Sequence, residues 1–172
     1  MKETTDKLAG GFTLVEMLVA VFVIAILVTV MVGVSGIVVR RSGVAHTRAT
    51  MKVVGRALDA YREVAGRDPV EPASARSVPP PGWRGRDWQA YMRGKSLYAS
   101  LMGVPRAQRI LQSLPRDAFK SPRGGNRTFA DGFGKYMDYL RSKGLKGAPL
   151  LLSAGLDGDF DRKEDNIRSD DL

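Results

Sequence analysis

Gly10-Gly11-Phe12-Thr13-Leu14-Val15-Glu16 is the stretch on which the rest of the chain depends, because it opens an apolar run that reaches Val39. Twenty-eight residues lie between Phe12 and Val39 inclusive, and Glu16 is the only charged one. A run of that length, coiled as a helix, is sufficient to cross a hydrocarbon core of about 30 Å. A carboxylate just inside such a segment is costly, so it is expected to have a partner. The order of the parts also matters. A secretory signal has a short apolar core followed by a small-residue cleavage site, whereas here the two glycines precede the apolar run.

In that order, the string Gly-Gly-Phe-Thr-Leu-x-Glu resembles the class III signal of type IV pilins and type II secretion pseudopilins. The resemblance implies a leader over residues 1–11, cut after Gly11 by a prepilin peptidase. It implies N-methylation of the new terminus at Phe12, and an assembly role for Glu16 through the α-amino group of Phe12 on a neighbouring subunit. Residues 12–39 then form a transmembrane and filament-core helix. Ala25, Thr29 and Gly33 recur within it at four-residue spacing, a stripe that lets helices approach closely in lipid. Charge alone would not choose the orientation. Arg40, Arg41 and Arg48 follow the run, while the leader balances Lys2 and Lys7 against Glu3 and Asp6. Long domains translocate largely regardless of charge, and the resemblance places the leader inside. The expected topology is single-pass in the inner membrane, N-terminus cytoplasmic, C-terminal domain periplasmic.

Helical periodicity continues over 40–65. Val54, Leu58 and Tyr61 fall at i, i+4 and i+7 beside Val53, Ala57 and Val64, with charged residues on the other side; this amphipathic stripe needs a domain to cover it. Gly66 and Pro69 stop it. Residues 66–172 are the expected globular domain. Within it, 66–87 read as a Pro/Gly-rich loop, Trp88 to Met102 and Pro105 to Leu114 as short helices, and Tyr136 to Leu140 and Leu150 to Ser153 as strands. The fold class is α+β and pilin-like: a long N-terminal helix, half membrane and half amphipathic, packed on a small C-terminal antiparallel sheet.

The chain has 172 residues, no cysteine and one histidine, His46. Disulfides, thiolate metal sites and His-based triads therefore have no material. Gly94-Lys95-Ser96 ends like a phosphate loop, but Gln89 stands where the first glycine belongs, and Ser153 lacks a nucleophile elbow. No enzyme is expected. Net charge is +9, unevenly spread: residues 40–155 carry 22 Lys/Arg against 8 Asp/Glu, and residues 156–172 carry 3 against 7. Trp83 and Trp88 stand among Arg84, Arg86 and Arg93, as in single-strand nucleic-acid binders. No nucleic-acid fold motif accompanies them, so the basic face is assigned to anionic lipid rather than nucleic acid.

Two further segments resemble the major pseudopilins. Asp131-Gly132-Phe133-Gly134 with Tyr136 and Tyr139 is similar to their Asp-x-Trp-Gly-x-Pro-x-x-Tyr, with Phe for Trp and no proline. The ending Ser153-Ala154-Gly155-Leu156-Asp157-Gly158-Asp159-Phe160-Asp161, with Asp165-Asn166 behind it, resembles their calcium-binding loop. It begins like an EF-hand, but Arg162 and Arg168 replace the turn glycine and the closing acid. The expected cofactor is Ca²⁺ on Asp157, Asp159, Asp161 and Asp165, with backbone oxygens of Leu156 or Ser153. The implied function is a structural subunit of a type II secretion pseudopilus. Its partners would be further copies of itself, other pseudopilins, the prepilin peptidase, the inner-membrane secretion platform and the bilayer. The alternatives are a type IV pilin of a surface or DNA-uptake pilus, and a membrane-anchored calcium-dependent binding module.

Overall fold

A computed structural model describes residues 13–122 and 125–172; the side chains at 30, 32–35 and 37 lie outside that description. The chain divides into two compact units, Met1–Val39 and Arg40–Leu172. One helix, α1 (Leu14–Ala65, 52 residues), belongs to both. Its long uninterrupted course follows from the absence of proline and from two different apolar patterns laid end to end. In the first unit Leu14, Val15, Leu18, Phe22, Ile24 and Leu27 are all exposed, so the helix there is apolar around its whole circumference. In the second unit the helix buries one side, where Met51, Val54, Ala57, Leu58 and Ala60 lie with Thr47 and Thr50. Val64, expected on that stripe, is exposed in the last turn, where no other element covers it. Gly66 ends the helix with φ +66°, its N–H donated to the Arg62 carbonyl at 2.8 Å.

Counted over the described residues alone, no helix is long and apolar enough to cross a membrane. The apolar run read in the sequence continues through positions whose side chains are not described. A membrane span therefore rests on the sequence.

In the second unit α1 is followed by a single 3₁₀ turn (Ala73–Arg76), α2 (Gly85–Met102) and α3 (Pro105–Leu111). Helix α2 starts three residues earlier than its sequence pattern suggests, with Arg84 as N-cap; α3 ends earlier than Leu114, its last turn relaxing into Ser113 and Leu114. Among the described residues five short strands make two antiparallel sheets. β1 (Phe119–Lys120) pairs with β2 (Thr128–Phe129), and β3 (Asp138–Leu140), β4 (Leu150–Ser153) and β5 (Ile167–Arg168) form a three-stranded sheet in that order. Three of these strands, β1, β2 and β5, are two residues long and carry no alternation that a sequence pattern could detect.

The core lies where the domain part of α1 meets α2 and the sheets. Met51, Val54 and Leu58 pack in one cluster with Leu97 and Leu101 of α2, Phe129 of β2, Tyr139 of β3 and Leu151 of β4. A smaller cluster joins Ala90, Leu152, Ala154 and Phe160. A long helix packed against small antiparallel sheets is the α+β, pilin-like arrangement read from the sequence.

Candidate functional site

Two regions carry the residues singled out by the sequence. In the first unit Gly11 and Phe12, the expected cleavage and methylation positions, lie outside the described residues. Thr13 and Glu16 are described. Thr13 N–H and Thr13 Oγ1–H both donate to Glu16 Oε2, at 2.8 and 2.9 Å, while Glu16 N–H donates to Thr13 Oγ1 at 3.3 Å. With Leu14 as the first helical residue, Thr13 is the N-cap and Glu16 the third helical position. This is a capping box, in which each side chain satisfies the other residue's free amide. The carboxylate is also placed at the positive end of the helix dipole. The sequence reading sought Glu16 a partner on another chain and overlooked this nearer one, although Thr-x-x-Glu before an apolar run is a recognisable signature. In the small-residue stripe, Thr29 Oγ1 donates to the Ala25 carbonyl at 2.8 Å, so its hydroxyl is satisfied within its own helix.

In the second unit the Asp131-Gly132-Phe133-Gly134 segment is a turn built around its own carboxylate. Asp131 is buried, and its Oδ1 accepts N–H bonds from Phe133 and Lys135 at 2.9 and 2.8 Å. Its Oδ2 accepts the hydroxyl of Ser153 at 2.6 Å, which ties the turn to the end of β4. Burial pushes the Asp131 carboxyl above its ordinary range, opposed by the Ser153 hydroxyl and the two amides. The turn sits against the domain part of α1. Thr47 Oγ1 donates to the Gly43 carbonyl and accepts the Gly132 N–H at 2.9 Å. A Cβ on Gly132 would come 2.2 Å from the Gly43 oxygen, and one on Gly43 would meet the Phe133 ring at 2.3 Å. Gly132 is therefore required by the close approach of two backbones, and Gly43 by the Phe133 ring that lies on it. The motif is a lock between the turn and the helix, and its aromatic covers the helix at Gly43.

The Ser153 hydroxyl joins Asp131 and the Gly155 N–H. The acidic residues after it are also occupied locally. Asp165 Oδ2 accepts the amides of Leu156 and Asp157 at 2.8 and 3.1 Å, Asp157 Oδ1 accepts Asp159 N–H, and Asp159 Oδ1 accepts Asp161 N–H. Among the described residues no group of three or more His, Cys, Asp or Glu is arranged to hold a metal ion. Each of these hydrogen bonds uses one carboxylate oxygen of Asp157, Asp159 or Asp165, and Ca²⁺ on Asp157, Asp159, Asp161 and Asp165, completed by Leu156 or Ser153, stands as a proposal. Asp165 itself closes the loop, taking the two backbone donors at its base.

One set of residues escaped the sequence reading. The Arg93 guanidinium on α2 donates to both oxygens of the fully buried Asp138 on β3, at 2.9 and 2.8 Å, with Glu71 3.6 Å from its Nε. Burial raises the Asp138 carboxyl while Arg93 opposes the rise. The two are 45 positions apart, and no local pattern marks them.

A comparison with protein families places the prokaryotic N-terminal methylation motif on residues 6–32, covering the Gly-Gly-Phe-Thr-Leu-x-Glu string and the start of α1. No curated protein and no solved structure matches the chain. The motif is that of type IV pilin-like filament subunits, a structural rather than an enzymatic family.

Proposed function

We propose that this chain is the structural subunit of a type II secretion pseudopilus, of the major type. Prepilin peptidase would cut after Gly11, Phe12 would be N-methylated, and residues 12–39 would hold the chain in the inner membrane with the domain in the periplasm. Copies would then polymerise, with other pseudopilins, on an inner-membrane platform. The observation that carries this reading is the helix start: the methylation motif covers residues 6–32, and the same stretch of α1 is apolar on every side and exposed in the single chain. Such a helix needs lipid or other copies of itself around it. The Asp131 turn, similar to the pseudopilin segment, and the absence of cysteine favour the secretion type.

A second reading, a surface or DNA-uptake pilus, is favoured by one feature. Trp83 lies within 5.2–5.4 Å of the rings of Trp88, Tyr91 and Tyr136, and Lys120 Nζ sits 4.7 Å above the Tyr136 ring. A partly exposed aromatic patch with cations is a surface on which bases stack. Gene deletion separates the two: loss of protein export with surface filaments and DNA uptake intact supports the pseudopilus. Intact export with lost filaments or uptake overturns it.

A further inference from the structure

The end of α2, together with α3 and β1, forms a groove of about 570 Å³. Its apolar surface comes from Tyr98, Met102, Leu114 and Phe119, all part-buried and therefore still partly accessible. Arg116 and Arg127 stand exposed at its edge, and the Arg127 guanidinium lies 5.8 Å from the centre of the Phe119 ring. Neither arginine forms an ion pair among the described residues. The groove is large enough for a ligand-sized group, and its chemistry asks for an apolar anchor flanked by carboxylates.

This chain presents such a segment elsewhere. Leu156 is 49% exposed and stands between Gly155 and Gly158, both at positive φ (+68° and +71°), which turn the backbone outward on either side of it. Asp157 and Asp161, both exposed, flank the tip and have no ion-pair partner among the described residues. The loop is held in one conformation by the Asp165 carboxylate on the Leu156 and Asp157 amides, so little ordering is needed when it docks. Loop and groove lie toward opposite ends of α2. Phe160 packs 5.6 Å from Arg86 at the start of that helix, and Met102, its last residue, lines the groove. Sixteen residues of helix separate Arg86 from Met102, about 24 Å at 1.5 Å per residue. A loop seated near one end does not fill a groove near the other end of its own domain; a second copy's loop does. A contact between two different patches repeats head to tail and generates an open polymer.

We propose that the acidic loop around Leu156 of one copy docks into the basic groove of the next, joining the domains of adjacent subunits. The charge asymmetry of the sequence supports this, with 22 Lys/Arg against 8 acids over residues 40–155 and 3 against 7 over 156–172. The proposal rests on the filament reading given above and specifies the contact between its subunits.

The chain has no cysteine, so introduced thiols report a single pair. Two full-length copies with different tags, one Leu156→Cys and one Gln112→Cys, are co-expressed with the peptidase and assembly platform and treated with a short thiol-to-thiol cross-linker. The expected result is a mixed dimer at high yield, absent when either thiol is moved to the exposed Arg76 position. In parallel, Arg116→Glu with Arg127→Glu is expected to reduce filament yield at least tenfold, and adding Asp157→Lys with Asp161→Lys in the same chain is expected to restore most of it. If the charge-reversed chain does not accumulate, the cross-link alone decides. Filaments from the unaltered chain without the mixed dimer overturn the proposal and leave the filament reading standing. Cross-linking of the Gln112 thiol only to another protein assigns the groove to that occupant and also overturns it. A complete absence of filaments from the unaltered chain overturns both together.

Discussion

Replacing Asp131 by alanine and by asparagine separates the two things this side chain does. Its carboxylate accepts three hydrogen bonds, from Phe133 N–H, Lys135 N–H and Ser153 Oγ–H. Alanine strands all three donors, but unequally. Lys135 is exposed and its amide turns to water, Phe133 is half-buried, and Ser153 is wholly buried. An orphaned buried donor costs about 1–3 kcal/mol. Counting Ser153 near the upper end and Phe133 near the lower gives about 3–4 kcal/mol, a fall in melting temperature of about 10 °C for a domain of this size. Asparagine retains a carbonyl oxygen for the two amides and turns its NH₂ toward the Ser153 oxygen, which then accepts where it had donated, so its loss is expected to be about 1–2 kcal/mol, or about 3–6 °C. The pH dependence has a definite sign. Because burial raises the Asp131 carboxyl, its contribution is fully present below the ordinary carboxylate pKa and is lost as pH rises through the raised value. Asparagine removes that part of the slope. The assay is thermal unfolding of the full chain in detergent, from pH 4 upward. An alanine variant within 2 °C of the parent, or an asparagine variant worse than alanine, would refute the view that the turn is organised around this acceptor.

Glu16→Gln keeps an acceptor for the Thr13 amide and so preserves the capping box, while removing the charge. Insertion and cleavage are expected to remain, read by mass spectrometry of the mature terminus, and filament yield to fall; normal filaments would mean that the charge itself has no assembly role. Gly132→Ala forces a Cβ against the Gly43 carbonyl, and about 1–3 kcal/mol of destabilisation is expected from the clash, measured by the same melting assay. Millimolar Ca²⁺ is expected to raise the melting temperature, and Asp157→Ala with Asp159→Ala to abolish the shift; an unchanged melting curve on adding calcium or chelator would refute a metal site in this loop. Arg93→Met is expected to cost about 3–5 kcal/mol, since it leaves Asp138 charged and buried without its partner, whereas Arg93→Met with Asp138→Leu should recover a large part of that loss.

The parts legible in the sequence are those in which neighbours along the chain also determine the structure. The apolar run, the change to a one-sided stripe after Arg40 and the stop at Gly66 are local, and α1 follows from them. Strand β4 was equally legible, because Leu150, Leu151 and Leu152 form one apolar block. The Thr13–Glu16 box is legible too, its signature being four residues long, although the acid's partner was sought on another chain. The acidic tail illustrates the opposite case. The alternation of Asp157, Asp159 and Asp161 shows that oxygen donors are available, but not that Asp165 is nearest to the amides at the base of the loop.

What the sequence determined by itself is the chain's division of labour: a helix apolar on all sides, headed by a signal that matches the methylation motif, then a basic domain with an acidic ending. Hydrophobic period and charge distribution are properties of order along the chain, and they persist whatever the domain does. Tertiary structure alone decided which residues meet. The Gly43–Gly132 contact, the Asp131–Ser153 bond, the Arg93–Asp138 pair and the two-residue strands all join distant positions. Each depends on a close approach that no local pattern encodes. They form because burying α1's stripe brings those backbones within reach, and a buried polar group then takes whichever partner the packing offers.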